Sequence, residues 1–195
     1  ELTCEGRGAH AGSEHATGVN AVVALAGIMP RVSALTDYAN DVTVNIARFE
    51  GGTVLNRVPH QARAALEVRA FDPAKLNSTE SAIHTLCEEA SIGGAKARLE
   101  RLGKTAAWPA DEATMRLFRR WERAASELGV TAVPIRRGGL SDANYLCKLG
   151  PTLDGLGPAG ANAHCSERSA DGSKVPEYVE SDSFVPKGTL NVLAL

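Results

Sequence analysis

Asn56 and Arg69 are the two residues of this chain best suited to holding a carboxylate. A guanidinium binds a carboxylate bidentately, and an amide beside it fixes the orientation. Asn56 lies in a loop, GGTVLNRVPH, and Arg69 near the far end of the strand-like run that follows. In that run Ala62, Ala64, Leu66, Val68 and Ala70 alternate with Arg63, Glu67 and Arg69. One face therefore suits packing under helices, and the other keeps ionic groups free. The same spacing also fits a structural role, with Arg69 paired to Glu67 and Asn56 making a turn. Two histidines stand in glycine-rich settings, His10 in GRGAHAG and His164 in LDGLGPAGANAHCSE. Each could act as a ligand or proton donor, or simply bond to its own turn. The cysteines Cys4, Cys87, Cys147 and Cys165 form no CxxC pair, which argues against a zinc-finger or thioredoxin-type motif. They are expected to be reduced and partly buried.

The elements that must position these residues read as follows. A strand starts at Leu2 and ends in the tight turn GRGAHAG. Val22, Leu25, Ile28, Met29, Val32 and Leu35 fall at helical spacing and predict a helix over 19–36. Pro30 conflicts with it and predicts either a kink or a second helical start. Val42, Val44 and Ile46 alternate with polar residues in a second strand. After the long third strand, Asp72-Pro73 is a helix start, with Leu76, Ile83, Leu86, Cys87 and Ala90 as its stripe. Gly93-Gly94 ends that helix, and 95–102 form a fourth strand. The order is βαββαβ, which predicts a ferredoxin-like fold: a four-stranded antiparallel sheet with both helices on one face.

From Gly103 the character changes. A linker containing Trp108-Pro109 leads to a helix over 111–128, stopped by Gly129. Short strands are expected over 130–135 and 152–156, a short helix from Ser141 to Lys148, and a last helix at the C-terminus. This half reads as part of an α/β layered domain. The expected division is 1–103 and 104–195.

At 195 residues, 44% hydrophobic and 23% charged, the composition is ordinary for a globular protein. A net charge of −2 with no long basic run disfavours nucleic acid and anionic membranes as partners. No apolar run approaches the ~20 residues of a membrane span. The chain opens at Glu1 without Met and reads as a processed or excised piece, with a cytoplasmic location favoured by the scattered cysteines.

Three segments taken together, GRGAHAGSEHATGVNAV, LNRVPHQARAALEVRAFD and GGLSDANYL with LDGLGPAGANAHCSE, resemble the co-catalytic zinc hydrolases. That family includes glutamate carboxypeptidase, aminoacylase and succinyl-diaminopimelate desuccinylase. The resemblance implies a ferredoxin-like lid that makes a homodimer, followed by the C-terminal part of an α/β zinc-peptidase catalytic domain. It implies two zinc ions in the complete enzyme and a small peptide or N-acyl amino acid substrate with a free carboxylate. His10 matches the lid histidine that reaches a partner subunit's site and stabilises the oxyanion. Asn56 and Arg69 match the residues that hold the substrate carboxylate. Gly139, Ser141 and Asp142 fall in a GGxSD turn near the substrate, and His164 matches the last zinc ligand. The family's mechanism is hydrolysis of an amide by zinc-activated water with a glutamate base. The His-x-Asp, bridging Asp and Glu-Glu motifs of the family lie upstream of the lid. Here the sole Glu-Glu, Glu88-Glu89, falls in the second lid helix. The chain is therefore expected to be inactive alone; the competing reading is a metal-free dimerisation or binding module.

The second strand, 41–50, has no charge between Asp41 and Arg48 and shows no proline. It is expected to be an unprotected edge that pairs with its symmetry mate, with Val44 at the centre of the seam and the first helices across the two-fold axis.

Overall fold

The computed structural model describes residues 1–108 and 110–195; the Trp108-Pro109 step expected in the linker thus lies partly outside the described residues. The chain forms two compact units, Glu1–Ala107 and Trp108–Leu195.

The first unit runs β1 (Leu2–Glu5), α1 (Ala21–Ser33), β2 (Thr43–Gly51), β3 (Gln61–Arg69), α2 (Pro73–Ala90) and β4 (Lys96–Leu99). The strands pair in the order β2-β3-β1-β4, all antiparallel, which is the predicted ferredoxin-like sheet with β2 and β4 at the edges. Alternation decides which face is covered. Ala62 and Ala64 of β3 are buried while Gln61 and Arg63 are exposed. α1 packs over β1, β2 and β3, and α2 over β3 and β4. Leu2, Cys4, Leu25, Val32, Ile83 and Cys87 lie at the centre of one continuous core. Asp72 caps α2 by accepting the Ala74 N–H at 2.8 Å, with Pro73 as the first helical residue. α1 continues through Pro30 as one helix, so no second segment starts there.

Burial pushes the Cys87 thiol up to about 11, with nearby Cys4 and Glu88 adding to the shift, and it raises Cys4 as well. Both thiols should therefore stay neutral and unreactive at pH 8, while half-buried Cys147 and Cys165 alkylate first. Mass spectrometry after timed iodoacetamide treatment checks this; early labelling of Cys87 would contradict it.

The β2 edge differs from the expectation in two ways. The pairing register with β3 shifts between Ile46 and Arg48, so Ala47 is the extra residue of a β-bulge. The first half of the edge is also closed. The Thr36 hydroxyl accepts the Val44 N–H at 3.1 Å and donates to the Val44 carbonyl at 3.3 Å. Asp37 and Val42 exchange backbone hydrogen bonds at 2.9 Å just before it. Val44 therefore has no outward donor to offer a second strand, and the open part of the edge begins at Ile46. Thr36→Val removes both side-chain bonds and leaves a half-buried N–H and C=O without them. It should cost about 1–3 kcal/mol in urea unfolding; no loss of stability would mean that this seal contributes nothing.

The second unit contains α3 (Glu112–Glu127), α4 (Ala143–Leu146), a two-residue ladder of β5 (Gly160–Ala161) with β6 (Tyr178–Val179), and α5 (Phe184–Ala194). Asp111 caps α3 by accepting the Thr114 N–H at 2.7 Å, and this bond holds its carboxyl below the usual range. Gly129, at φ 69°, ends the segment. Trp121, Ala124 and Ala194 form a small core, and the Trp121 indole donates to Asn191 at 2.9 Å. The strands expected over 130–135 and 152–156 are absent as strands. A strand exists only with a pairing partner, and among the described residues nothing pairs with either run. Val133 and Ile135 are exposed as a result.

Candidate functional site

The loop after β1 and the loop before β3 are joined by backbone hydrogen bonds. Ala11 N–H donates to the Asn56 carbonyl and Val58 N–H to the Ala9 carbonyl, each at 2.9 Å. These bonds set His10 opposite Arg57 and next to Asn56. The loop is held from below as well: Arg7 and Val19 exchange backbone bonds at 2.9 and 2.8 Å. A Cβ on Gly6 would meet the Val19 carbonyl oxygen at 2.1 Å, so this close approach requires glycine.

His10 bonds to its own turn, and the bonds are specific. Its Nδ1 accepts from the backbone N–H of Gly12 at 3.1 Å and of Ser13 at 3.2 Å. A nitrogen that accepts carries no proton, so the neutral ring holds its proton on Nε2 as a donor. The turn role and a chemical role are thus compatible in one residue.

Arg57, which the sequence pattern did not single out, runs over Gly8. Its Nε and Nη2 each lie 3.0 Å from where a Gly8 Cβ would sit. Beside it, Glu50, Thr53, Arg57, His60, Gln61 and Arg63 line a cleft of about 280 Å³. Only the glycine beside it hinted at Arg57, and glycine is common in loops.

Arg69 is at the other end of β3. It pairs with Thr43, the first residue of β2, whereas Ala62 pairs with Gly51, the last. The nine residues of β3 span about 26 Å. Arg69 Nη2 donates to both carboxylate oxygens of Glu67 at 2.9 Å. The structure therefore brings His10 and Asn56 together and sets Arg69 apart from them within one chain.

In the second unit Ser141 Oγ accepts the Ala143 N–H at 3.2 Å, and the Asn144 amide oxygen accepts the Ser141 N–H at 3.0 Å. Gly139 and Asp142 are exposed. A Cβ at Gly139 would meet nothing within this chain, so its packing does not require glycine. His164 is exposed and left-handed, at φ 64°. The β5–β6 ladder presents it: Glu177 N–H donates to the Cys165 carbonyl at 2.8 Å, and the His164 N–H donates to the Glu177 carboxylate at 3.3 Å. Among the described residues no three of His, Cys, Asp or Glu gather closely enough to hold a metal ion. A zinc site takes three or four protein ligands, more than any one place among the described residues brings together. Glu89 of the Glu-Glu pair is engaged by Arg31 of α1, with one bond at 3.1 Å.

The frame that carries these loops is an antiparallel sheet backed by two helices, with its β2 edge open from Ile46 onward. Residues 1–95, just under half of the chain, match the family model of the peptidase dimerisation domain of the M20 type. It is 28% identical over 179 residues to carboxypeptidase G2 of Pseudomonas sp. (strain RS-16), covering 90% of this chain and 43% of that protein. It is 28% identical over 153 residues to the uncharacterised protein YqjE of Bacillus subtilis, covering 76% and 40%. A solved tripeptidase from Staphylococcus aureus superposes over 99% of this chain and 47% of that one, at TM-score 0.70 and 24% identity. The aminopeptidase PepT of Bacillus cereus does so over 99% and 49%, at TM-score 0.65 and 24% identity. These two likenesses are of fold. The chain spans about two-fifths of the curated relatives and about half of these solved ones. No helix among the described residues is long and apolar enough to cross a membrane.

Proposed function

We propose that this chain is the dimerising lid and the C-terminal catalytic segment of a zinc-dependent peptidase or amidohydrolase that cleaves the amide bond of N-acyl amino acids or small peptides. The observation that carries the reading is the joined pair of loops that places His10, with its proton on Nε2, beside Asn56. An N–H donor in a fixed ring and a neighbouring amide can stabilise an oxyanion and orient a carboxylate.

The separation of Asn56 from Arg69 supports a dimeric site. A second copy paired antiparallel to β2 reverses strand direction, so the partner's Gly51 end comes toward the Thr43 end of the first copy. Arg69 lies at that Thr43 end, and His10 and Asn56 lie toward the Gly51 end. One subunit's Arg69 and the other's His10 and Asn56 then flank one site. Arg69 is ion-paired to Glu67 in the isolated chain, so a substrate carboxylate must compete with Glu67 for it. The cleft lined by Arg57 and Arg63, with Glu50 also on its wall, places further cationic groups nearby.

In the second unit, Ser141 and Gly139 are assigned to the substrate side and His164 to one zinc ligand. Left-handed φ at a non-glycine residue costs on the order of 1 kcal/mol or more, and the β5–β6 ladder holds His164 in it. Among the described residues no metal-holding group forms around His164, and the competing reading is a metal-free dimerisation or binding module. The two separate on one experiment. The purified chain is expected to be a homodimer by sedimentation equilibrium at micromolar concentration. When joined to the metal-bearing segment implied by the family, it is expected to gain zinc-dependent hydrolysis of an N-acyl amino acid. A dimer whose joined form binds zinc yet shows no hydrolysis would favour the module.

A further inference from the structure

We infer that a second copy of this chain docks on the β2 edge in a single register centred on Phe49, fixed by Arg48–Glu50 pairs between subunits. The inference rests on the dimer reading above and adds to it where the two-fold axis falls.

The open edge is short. Thr36 and Asp37 occupy the backbone groups of Val44 and Val42, so a second strand can add only from Ile46 to Gly51. Gly52, at φ 81°, ends the strand on the other side. Within this window the faces are set by the pairing with β3. Phe49 lies opposite Ala64, and Gly51 opposite Ala62, both on the buried helix side. Arg48 lies opposite Ala65 and Glu50 opposite Arg63, on the open side. Directly opposed residues in an antiparallel pair share a face, so a two-fold between identical strands must pass through a residue and not between two.

Two residues are central enough, and charge chooses between them. An axis through Arg48 sets Arg48 against its own copy, two like charges directly opposed. An axis through Phe49 sets Phe49 against its own copy and Arg48 against Glu50, twice per dimer. Phe49 is 38% exposed on the helix side, and Val23 on α1 is 65% exposed, so this register covers apolar surface near α1. The Arg48 and Glu50 side chains are exposed and meet within one strand only in a long ion pair at 4.0 Å, which a partner's Glu50 and Arg48 can replace. Beyond the window, the partner's Val54 and Leu55, both exposed, arrive at the 36–42 segment that bears exposed Tyr38. The edge cap therefore serves as a stop for the register as well as a seal.

Sedimentation equilibrium of the full chain and two charge variants tests this. Arg48→Glu opposes two acids across the axis, and Glu50→Arg opposes two arginines. Each alone should weaken the homodimer by about tenfold or more. An equimolar mixture of the two variants should recover the wild-type dissociation constant within about threefold, because both pairs in the hybrid are then opposite in charge. The hybrid lacks the attractive pair within each strand, so recovery assigns the effect to the contact between subunits. Wild-type far-UV circular dichroism spectra for both variants would show that each folds, since a weaker dimer by itself lowers the melting temperature. If Glu50→Arg dimerises as tightly as wild type, the register is wrong while the dimer stands. If the mixture stays weak, the Arg48–Glu50 contact is wrong. A wild-type chain monomeric up to about 100 µM would remove both this inference and the dimer it rests on.

Discussion

Amides of α2 and β3 should exchange with solvent at least about a hundredfold more slowly than those of α3 and α5. The difference is one of core. Fourteen buried residues from β1, β2, β3, both helices and Ala95 just ahead of β4 form one cluster in the first unit. The second unit has three, Trp121, Ala124 and Ala194, with Leu117, Leu153, Leu156 and Leu190 partly buried around them. Each buried aliphatic side chain contributes about 1.5–3 kcal/mol before conformational entropy is subtracted. The second unit also leaves Val130, Val133, Ile135, Leu149 and Val185 exposed. Opening it costs little, and a gap of about 3 kcal/mol in local stability is a factor of about 150 in exchange. Mass-spectrometric exchange at pH 7 reads this directly. Equal protection on both sides of Ala107 would show that the second unit has stability its visible core does not account for.

The first unit was legible because each of its signals is local. Alternation in β3, the Asp72-Pro73 start and the Gly93-Gly94 stop each depend on a few neighbouring residues, and together they left one topology. The second unit was legible only in its helices. Asp111, the apolar stripe of α3 and Gly129 are local signals, and α3 formed. The runs 130–135 and 152–156 carry strand-like composition, but pairing is a property of two segments, and composition cannot show that the second is missing. The β5–β6 ladder went unseen for the opposite reason: Gly160-Ala161 and Tyr178-Val179 are too short to alternate.

The site shows the same limit. His10, Asn56 and Arg69 were identified by type and by resemblance, but not by distance. The chemistry of an amide and a guanidinium suggested that Asn56 and Arg69 hold one carboxylate together; β3 carries Arg69 away from the loop that bears Asn56. Thr36 gave no signal at all, since a threonine after a helix is unremarkable until its hydroxyl is seen on the backbone of Val44. The expectation of an unprotected edge failed at that residue and at the Ala47 bulge, and both failures narrow where a partner can bind.

In an enzyme that joins this chain to the metal-bearing segment, His10→Ala should lower kcat by about 10²–10³-fold, the usual effect of losing one oxyanion donor. KM and zinc content should change little, because the residue is assigned no ground-state contact and no metal. The bonds from Gly12 and Ser13 to Nδ1 are what aim Nε2–H outward. His10→Gln keeps an N–H donor near that place and should recover part of the loss. Arg69→Ala should act differently and raise KM, since it removes a carboxylate contact. The two lesions should complement. In a dimer that mixes a His10→Ala subunit with an Arg69→Ala subunit, one site receives both defects and the other receives neither. Equal mixing gives half hybrids, so about a quarter of wild-type activity should return. Recovery of this size, absent from either variant alone, requires the two residues to come from different chains. No recovery after verified subunit exchange would place His10 and Arg69 in the site of one chain, and the reversal across the β2 edge would then be the wrong account of how Arg69, at the far end of a strand about 26 Å long, reaches that site.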